Sequence, residues 1–251
     1  MPTVDSGGVT ISYVAEGSGS PVVLVHGFAS SVQGNWRAPG VIDALVAAGR
    51  RVIALDCRGH GESGKPHDPE AYSGTRMPDD VVAVMDQEGI DCSDLMGYSM
   101  GGAIAASLLV GHPERLSRVI LSGVGDGLVT GGRGRRASEA IASALESETR
   151  AGIKDARARA FRAFAEQNGN DMLALAAIQR SSRTFDGVKL RNVRNPVLVL
   201  IGEGDVLVGP ADALAAAIPG AKLAKVPGDH LTAVLQPEFT RAVLSFFSAG
   251  A

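Results

Sequence analysis

The sequence has little of what marks a disulfide-rich, metal-binding or membrane-spanning protein. Its 251 residues include only two cysteines, Cys57 and Cys92, which are too few for a disulfide framework and show no metal-ligand spacing. No apolar run reaches the roughly 18 residues of a membrane span, and the first residues lack the basic start and apolar core of a signal peptide. The net charge of -3 gives no electrostatic reason to expect nucleic acid or an acidic membrane as a partner. We therefore expect a cytoplasmic protein without cofactor or metal.

What the chain does contain is a regular alternation of strand and helix patterns. Hydrophobic residues make up 45% and charged residues 20%, as in soluble proteins with a sizeable core. The candidate strands, several of them almost continuously apolar, are VTISYVAEG, PVVLVHG, RVIALD, DLMGY, RVILSG, PVLVLIG and AKLAKVPG. The candidate helices are 40–48, 78–87, 100–111, 210–218 and 237–248. Continuous apolar strands alternating with helices predict an α/β fold, in which helices cover both faces of a parallel sheet.

Two parts of the chain depart from this alternation. The first two candidate strands have no helix between them, which predicts an antiparallel hairpin at the N-terminal edge of the sheet. Between residues 126 and 190 the sequence becomes helical without strands and rich in arginine. We interpret this segment as a helical insertion over one end of the sheet. The chain is thereby divided into a core of residues 1–125 and 191–251 and a cap of residues 126–190.

The stretch LMGYSMGG places Ser99 between Gly97 and Gly101, where an apolar strand pattern stops and a helical pattern begins. In a G-x-S-x-G turn between a strand and a helix, the serine hydroxyl is raised above the sheet and can act as a nucleophile. Glycine is needed on both sides because a side chain there would strike the backbone of the turn. Short serine motifs also occur by chance, so this role requires partners elsewhere in the chain.

A serine nucleophile needs a general base, and His230 is the best placed of the five histidines. It lies in a glycine-containing loop between the last candidate strand and the last candidate helix. The base in turn needs a carboxylate that fixes its tautomer, and Asp205 follows a strand on the same side of the sheet. Glu203 and Asp126 are the rivals for this third role.

The chemistry also requires N–H donors for an oxyanion. Gly27 ends an apolar strand in VLVHGFAS, and its conformational freedom lets the N–H of Phe28 face the space above Ser99. The N–H of Met100, directly after the nucleophile, is the second predicted donor. Phe28 and Met100 are also predicted to contact the substrate. Three further candidates for the pocket lining are Trp36, Phe161 and Phe164, although aromatic side chains more often belong to a hydrophobic core.

The motifs VHGF, DCRGHGESG, GYSMGG, GEGD and GDH occur in the order and spacing of the α/β-hydrolase superfamily, which the chain resembles over nearly its whole length. The order Ser99, Asp205, His230 is also that of this superfamily. The resemblance implies an eight-stranded, mostly parallel sheet with helices on both faces and a helical cap inserted after strand six. It implies structural roles, through hydrogen bonds to the oxyanion loop, for Asp56, Arg58 and His60. We expect His26 to brace the same loop.

The resemblance also implies an activity. Related haloalkane dehalogenases and epoxide hydrolases use an aspartate where this chain has Ser99, so neither activity is expected. The superfamily's enol-lactonases and carbon–carbon bond hydrolases use serine and often carry tryptophan after the histidine, where this chain has Leu231. We therefore predict a serine hydrolase whose partner is a small carboxylic ester or thioester. Enol-lactone or carbon–carbon bond (diketone) hydrolysis is the alternative.

Two hypotheses from other classes stay open. One is a small-molecule receptor that keeps the three residues for slow hydrolysis of its ligand, as some members of the superfamily do. The other is a nucleotide-binding module, because GGRGRRA has G-x-G-x-x-A spacing at Gly132, Gly134 and Ala137. That match is weak because no clear strand precedes it.

Overall fold

The computed structural model describes residues 1–131, 135–182 and 185–248, and these residues form eight strands in one sheet. The strands are β1 (Thr3–Ser6), β2 (Val9–Glu16), β3 (Pro21–Val25), β4 (Arg51–Leu55), β5 (Ser93–Tyr98), β6 (Leu116–Ser122), β7 (Val197–Gly202) and β8 (Lys222–Val226). The α-helices are α1 (Val41–Ala47), α2 (Arg76–Gln87), α3 (Met100–Gly111), α4 (Gly127–Thr130), α5 (Arg135–Glu146), α6 (Ala156–Gln167), α7 (Met172–Arg180), α8 (Asp212–Ala217) and α9 (Pro237–Ser248). Short 3₁₀ segments lie at Pro69–Tyr72, Pro113–Arg115, Arg150–Gly152, Gly187–Asn192 and Ala233–Leu235, and one π-helical turn lies at Gln33–Arg37.

The strand order in the sheet is β1-β2-β4-β3-β5-β6-β7-β8. The strands from β3 to β8 all pair in parallel, whereas β1 and β2 are antiparallel to their neighbours. Parallel strands need crossover connections, and helices supply them on both sides of the sheet. The predicted eight-stranded, mostly parallel α/β fold is therefore confirmed.

The predicted N-terminal hairpin was assigned to the wrong pair of strands. β2 pairs with β4 rather than with the next strand β3, with Tyr13 opposite Leu55. The hairpin is formed by β1 and β2, and it turns at Gly7 and Gly8, which both have positive φ. β1 reads TVDS, so it is too short and too polar for a search based on apolar runs to detect.

Helices cover both faces of the sheet, which explains why the central strands are apolar at almost every position. In β3, Val23 and Val25 belong to the buried cluster that includes residues of α2, α3 and α8. Val22 and Leu24 belong to the second cluster, on the opposite face, with residues of α1 and α9. Because successive side chains of a strand point to opposite faces, both sets of positions must be apolar.

The helices α4 to α7 lie between β6 and β7 in the chain. The buried Leu145 of α5 and Ile178 of α7 join the same cluster as α2 and α3. The Cδ1 atom of Ile178 lies 2.8 Å from where a Cβ on Gly59 would be, so α7 contacts the loop after β4. The division into a core of residues 1–125 and 191–251 and a cap of residues 126–190 stays a prediction. Gly132 and Gly134, on which the nucleotide-binding hypothesis depends, lie outside the described residues.

Within the ranges that the structure describes, no helix combines the length and the apolarity needed to cross a bilayer.

Helix α3 approaches the sheet closely at its first turn. A Cβ on Gly101 would lie 2.0 Å from the carbonyl oxygen of Val25 in β3, and a Cβ on Gly97 would lie 2.0 Å from the carbonyl oxygen of Gly101. Neither position can hold a side chain without separating the two backbones. At the last residue of the same helix, a Cβ on Gly111 would have no neighbouring atom within 4 Å.

We expect Gly101→Ala to lower the free energy of unfolding by about 3 kcal/mol, because its methyl group would push α3 away from β3. Gly111→Ala is the matched control, since it adds the same methyl group in open space, and it should change stability by less than about 1 kcal/mol. Urea unfolding followed by circular dichroism measures both variants. Similar effects of the two substitutions would contradict the close approach.

Candidate active site

Ser99 lies on a sharp turn between the end of β5 and the first residue of α3. Its backbone has φ 56° and ψ -108°, and among the described residues only Ala29 shares a positive φ without being glycine. A sparsely populated backbone conformation of this kind costs a residue with a side chain about 1–3 kcal/mol. Two backbone hydrogen bonds hold the turn: the N–H of Ser99 donates to the carbonyl of Ser122 at 2.8 Å, and the N–H of Ala103 donates to the carbonyl of Ser99 at 3.1 Å.

The hydroxyl of Ser99 begins a series of hydrogen bonds through His230 to Asp205. The Ser99 Oγ lies 2.9 Å from His230 Nε2, and His230 Nδ1 lies 2.7 Å from Asp205 Oδ2. The side chain of Asp205 is 1% exposed and that of His230 is 12% exposed. The Nδ1–H of His230 donates to the carboxylate, which leaves Nε2 free to accept the serine proton. The structure thus brings together the three residues that the sequence predicted as nucleophile, base and acid.

Asp205 is oriented by its own loop. Its Oδ1 accepts the N–H groups of Leu207 at 3.1 Å and Val208 at 3.3 Å, so that Oδ2 faces His230. The two rivals are placed differently. Asp126 accepts the N–H of Leu214 in α8 through Oδ1, and Glu203 is exposed.

Tyr98, which the sequence analysis did not single out, holds the loop that carries His230. Its hydroxyl donates to the carbonyl oxygen of His230 at 2.7 Å, and the centroids of the two rings are 5.6 Å apart. Burial, together with the charges of Asp205 and Asp229, raises the pKa of Tyr98, so its hydroxyl remains a donor. The available signal was its position, directly before the predicted nucleophile Ser99 in GYSMGG.

The Gly27–Phe28 peptide is fixed through its carbonyl group. The Nδ1–H of His26 donates to the Gly27 oxygen at 2.7 Å, and the N–H of Ser30 donates to the same oxygen at 3.2 Å. The C=O and N–H of a trans peptide point in opposite directions, so these bonds direct the Phe28 N–H away from His26. Within the described chain, the N–H groups of Phe28 and Met100 donate to no protein atom, which leaves both available for an oxyanion.

Buried histidines brace this loop, as expected. The Nε2 of His26 accepts the N–H of Cys57, and the Nε2 of His60 accepts the N–H of Ala29, both at 3.0 Å. Burial lowers the pKa of His60 to about 3 and also lowers the pKa of His26, although the nearby Asp56 opposes the shift at His26. Both rings are therefore neutral and use one nitrogen as acceptor and the other as donor.

Two further residues were expected to support the loop, and only one of them reaches it. Asp56 accepts the N–H of Val32 at 2.8 Å, next to the oxyanion loop. Arg58 instead forms a buried ion pair with Asp80, in which Arg58 Nε lies 2.7 Å from Asp80 Oδ2. Arg58 also donates to the carbonyl of Ser6, so it fastens β1 rather than the oxyanion loop.

A cavity of about 590 Å³ opens above Ser99 and His230. Its walls include the apolar side chains of Phe28, Phe161, Phe164, Val206, Leu207, Leu231, Val234 and Leu235. The rings of Phe28 and Phe161 meet edge to face, with centroids 5.8 Å apart, so α6 forms part of the wall. Its polar lining includes Ser30, Asn35, Arg157, Asn168 and Asp229.

The structure differs from the pocket that the sequence analysis predicted. Among the described residues, Met100 does not line this cavity, and its buried side chain packs into the core cluster of α3. This placement does not fit the predicted role of the Met100 side chain as a substrate contact. Trp36 is completely buried in the core of the opposite face of the sheet. Phe28, Phe161 and Phe164 do line the cavity.

The described residues contain no group of three or more histidine, cysteine, aspartate or glutamate side chains that could hold a metal ion.

Residues 20–174 match the family model of the alpha/beta hydrolase fold, and the chain belongs to this family. It is 37% identical, over 118 residues, to the 2-hydroxymuconate semialdehyde hydrolase of Pseudomonas sp. (strain CF600), an alignment that covers 46% of this chain and 40% of that protein. The chain spans less than half the length of the first curated relatives that it matches.

Two matches extend over almost the whole chain. The putative non-heme bromoperoxidase BpoC of Mycobacterium tuberculosis is 28% identical, with 96% of this chain and 98% of that protein aligned. The crystal structure of a hydrolase from Pseudomonas aeruginosa PA01 is 27% identical and superimposes with a TM-score of 0.79, covering 99% of this chain and 98% of that chain. These similarities establish a hydrolase family and leave the substrate open.

We expect the stability of the protein to fall as the pH drops below 6.5, because unfolded histidine binds a proton there while folded His60 stays neutral to about pH 3. Each such histidine contributes a slope of about 1.4 kcal/mol per pH unit. His60→Gln keeps an acceptor for Ala29 but cannot titrate, so its free energy of unfolding should depend less steeply on pH. Urea titrations at pH 7, 5.5 and 4.5 compare the two proteins. Parallel losses in parent and variant would show that His60 is not held neutral.

Proposed function

We propose that the protein is a serine hydrolase of small carboxylic esters or thioesters, which forms an acyl-enzyme on Ser99. The single observation that carries this proposal is the continuous series of hydrogen bonds from Ser99 through His230 to Asp205 beneath an apolar cavity. A carboxylate-oriented imidazole is what a serine hydroxyl needs to become a nucleophile at neutral pH.

In the first half of the reaction, His230 Nε2 removes the proton of Ser99 as Oγ attacks the carbonyl carbon of the substrate. The charge that develops on the carbonyl oxygen is received by the N–H groups of Phe28 and Met100, each worth roughly 3–4 kcal/mol of transition-state stabilisation. Asp205 stabilises the imidazolium that forms, because its Oδ2 accepts the Nδ1–H of His230.

In the second half, His230 gives its proton to the leaving alkoxide or thiolate, and the acyl group stays on Ser99. A water molecule then loses a proton to His230 Nε2 and attacks the acyl-enzyme, again with its oxyanion at Phe28 and Met100. Collapse of this intermediate returns the proton to Ser99 and releases the carboxylic acid.

The cavity supports a small substrate with an apolar part. Its volume of about 590 Å³ is within the range of small-molecule sites, and Phe161 and Phe164 of α6 present aromatic rings to it. The polar groups Arg157 and Asp229 lie among apolar neighbours in its lining. An ester whose acyl or alcohol part is apolar fits this lining.

Hydrolysis of a carbon–carbon bond or of an enol-lactone is the second candidate. The similarity to a 2-hydroxymuconate semialdehyde hydrolase favours it, whereas Leu231 stands where such enzymes often carry tryptophan. A substrate panel of esters, lactones, thioesters and diketones separates the candidates by their kcat/KM values. Binding of small molecules with negligible turnover across the panel would instead favour the receptor hypothesis.

Ser99→Ala should abolish hydrolysis of p-nitrophenyl acetate, with kcat lower by about 10³-fold or more, because no other group can carry the acyl intermediate. The variant should still fold, since the smaller side chain keeps the turn and its two backbone hydrogen bonds. Steady-state kinetics measure the loss, and circular dichroism checks the fold. Retained turnover would remove Ser99 from its proposed role.

Asp205→Asn should lower kcat by about 10³–10⁴-fold, because an amide no longer selects the tautomer that leaves Nε2 of His230 free to accept a proton. The matched control is Glu203→Gln, two residues earlier in the same loop, which should leave kcat within about twofold because Glu203 is exposed. Steady-state kinetics with the same ester compare them. A loss of only a few-fold at Asp205 would return Glu203 and Asp126 to consideration.

A further inference from the structure

Ala29, in the loop that carries Phe28, shares with Ser99 a positive φ that is unusual for a residue with a side chain. Its φ is 58°, and its side chain is completely buried. Ala29 is the third residue of a turn that starts at Gly27 and closes with the hydrogen bond from the Ser30 N–H to the Gly27 carbonyl, at 3.2 Å. Turns with a positive φ at this position usually carry glycine there. The loop therefore depends on contacts that keep Ala29 in a conformation alanine disfavours.

Two side chains form hydrogen bonds with the backbone of Ala29, one with its N–H and one with its carbonyl oxygen. His60 of the loop after β4 accepts its N–H at 3.0 Å, and the Nδ2 of Asn170 donates to its carbonyl oxygen at 2.9 Å. Asn170 lies between α6 and α7, in the predicted cap. One of the two side-chain hydrogen bonds to Ala29 therefore comes from the inserted segment.

The loop of Asn170 is itself well fixed. The N–H of Asn170 donates to the carbonyl of Ala165 at 3.1 Å, and Gly169 adopts a φ of 63° as the chain leaves α6. The next residue, Asp171, caps α7 by accepting the N–H of Ala174 at 2.9 Å. With its backbone held on both sides, the amide of Asn170 is directed at Ala29 before any substrate binds.

A change in the backbone conformation of Ala29 would also alter the direction of the predicted oxyanion donor. If Ala29 left its left-handed conformation, the Ser30 N–H would move away from the Gly27 carbonyl. That carbonyl and the Phe28 N–H belong to one rigid peptide plane, so the direction of the donor would change with it.

We propose that Asn170 is a positioning residue, which sets the oxyanion donor Phe28 by holding the carbonyl of Ala29. The proposal rests on the proposed function, because it assigns Asn170 a part in hydrolysis at Ser99. Asn170 acts through the loop backbone and does not touch the reacting atoms.

The matched control lies one residue away. The carboxylate of Asp171 accepts a hydrogen bond from His67 Nε2, which lies 3.1 Å from Oδ1 and 3.0 Å from Oδ2. Asp171 therefore also joins the inserted segment to the loop after β4. His67→Ala removes this contact and leaves Ala29 untouched. Asn170→Asp keeps the size of the side chain but replaces its NH₂ donor with an acceptor that faces the Ala29 carbonyl.

Site-resolved hydrogen exchange tests the coupling directly, whatever the substrate. In Asn170→Asp, the Ala29 amide should exchange about tenfold faster, which is the effect of losing about one hydrogen bond. In His67→Ala its exchange should stay within about twofold of the parent. No acceleration in Asn170→Asp, or equal acceleration in both variants, would overturn the proposal.

The catalytic consequence is tested with p-nitrophenyl acetate and with a fluorophosphonate that labels the serine. Asn170→Asp should lower kcat and the labelling rate about tenfold, because the oxyanion donor is misplaced. KM should stay within about twofold, because the residues that bind the substrate are unchanged. His67→Ala should leave all three near the parent values. An unchanged kcat in Asn170→Asp would overturn the positioning role. A parent that neither turns over esters nor is labelled would refute the proposed function, and the exchange of the Ala29 amide would still decide the coupling.

Discussion

The contact between the first turn of α3 and the ends of β3 and β5 constrains every other part of the site. The backbones meet so closely that Gly97 and Gly101 leave no room for a Cβ, and Ser99 between them adopts a positive φ. The turn is held by backbone hydrogen bonds, so the hydroxyl of Ser99 needs to make none of them and remains available to His230. The fold of the chain thus orients Ser99, the proposed nucleophile.

The loop opposite Ser99 is held by two buried histidines whose ring nitrogens are all paired. A neutral imidazole has one donor and one acceptor, and both His26 and His60 use the two on backbone groups. Protonation would turn an acceptor into a donor facing an N–H, which is a further reason for these rings to stay neutral. Fixed donors need no reorganisation when charge develops on a substrate, and this is the condition under which N–H groups such as that of Phe28 stabilise a transition state best.

Motifs and periodicity predicted the parts of the structure that depend on local chemistry. Glycine spacing identified the turn at Ser99, and chain order identified Asp205 and His230, because these loops all follow parallel strands at one edge of the sheet. Strand pairing was harder to predict. The polar β1 carries no apolar pattern, and the pairing of β2 with β4 depends on contacts that form only in the assembled sheet. The predicted substrate contact of Met100 does not fit the structure, because its nearness to Ser99 in the sequence does not fix the direction of its side chain. Phe161 and Phe164 were named as pocket candidates and do line the cavity, but periodicity alone could not establish this, because the lining depends on how α6 packs.

The inserted helices are joined to the core through a shared apolar interior. Leu145 and Ile178 lie in one buried cluster with α2 and α3, and Ile178 packs against Gly59. Swinging these helices outward as a unit would expose that interior to water, at about 25 cal/mol for each square ångström of apolar surface. A small molecule that entered at the rim of the cavity would leave this interior covered, because the rim is lined by the exposed side chains of Val206, Leu231 and Leu235.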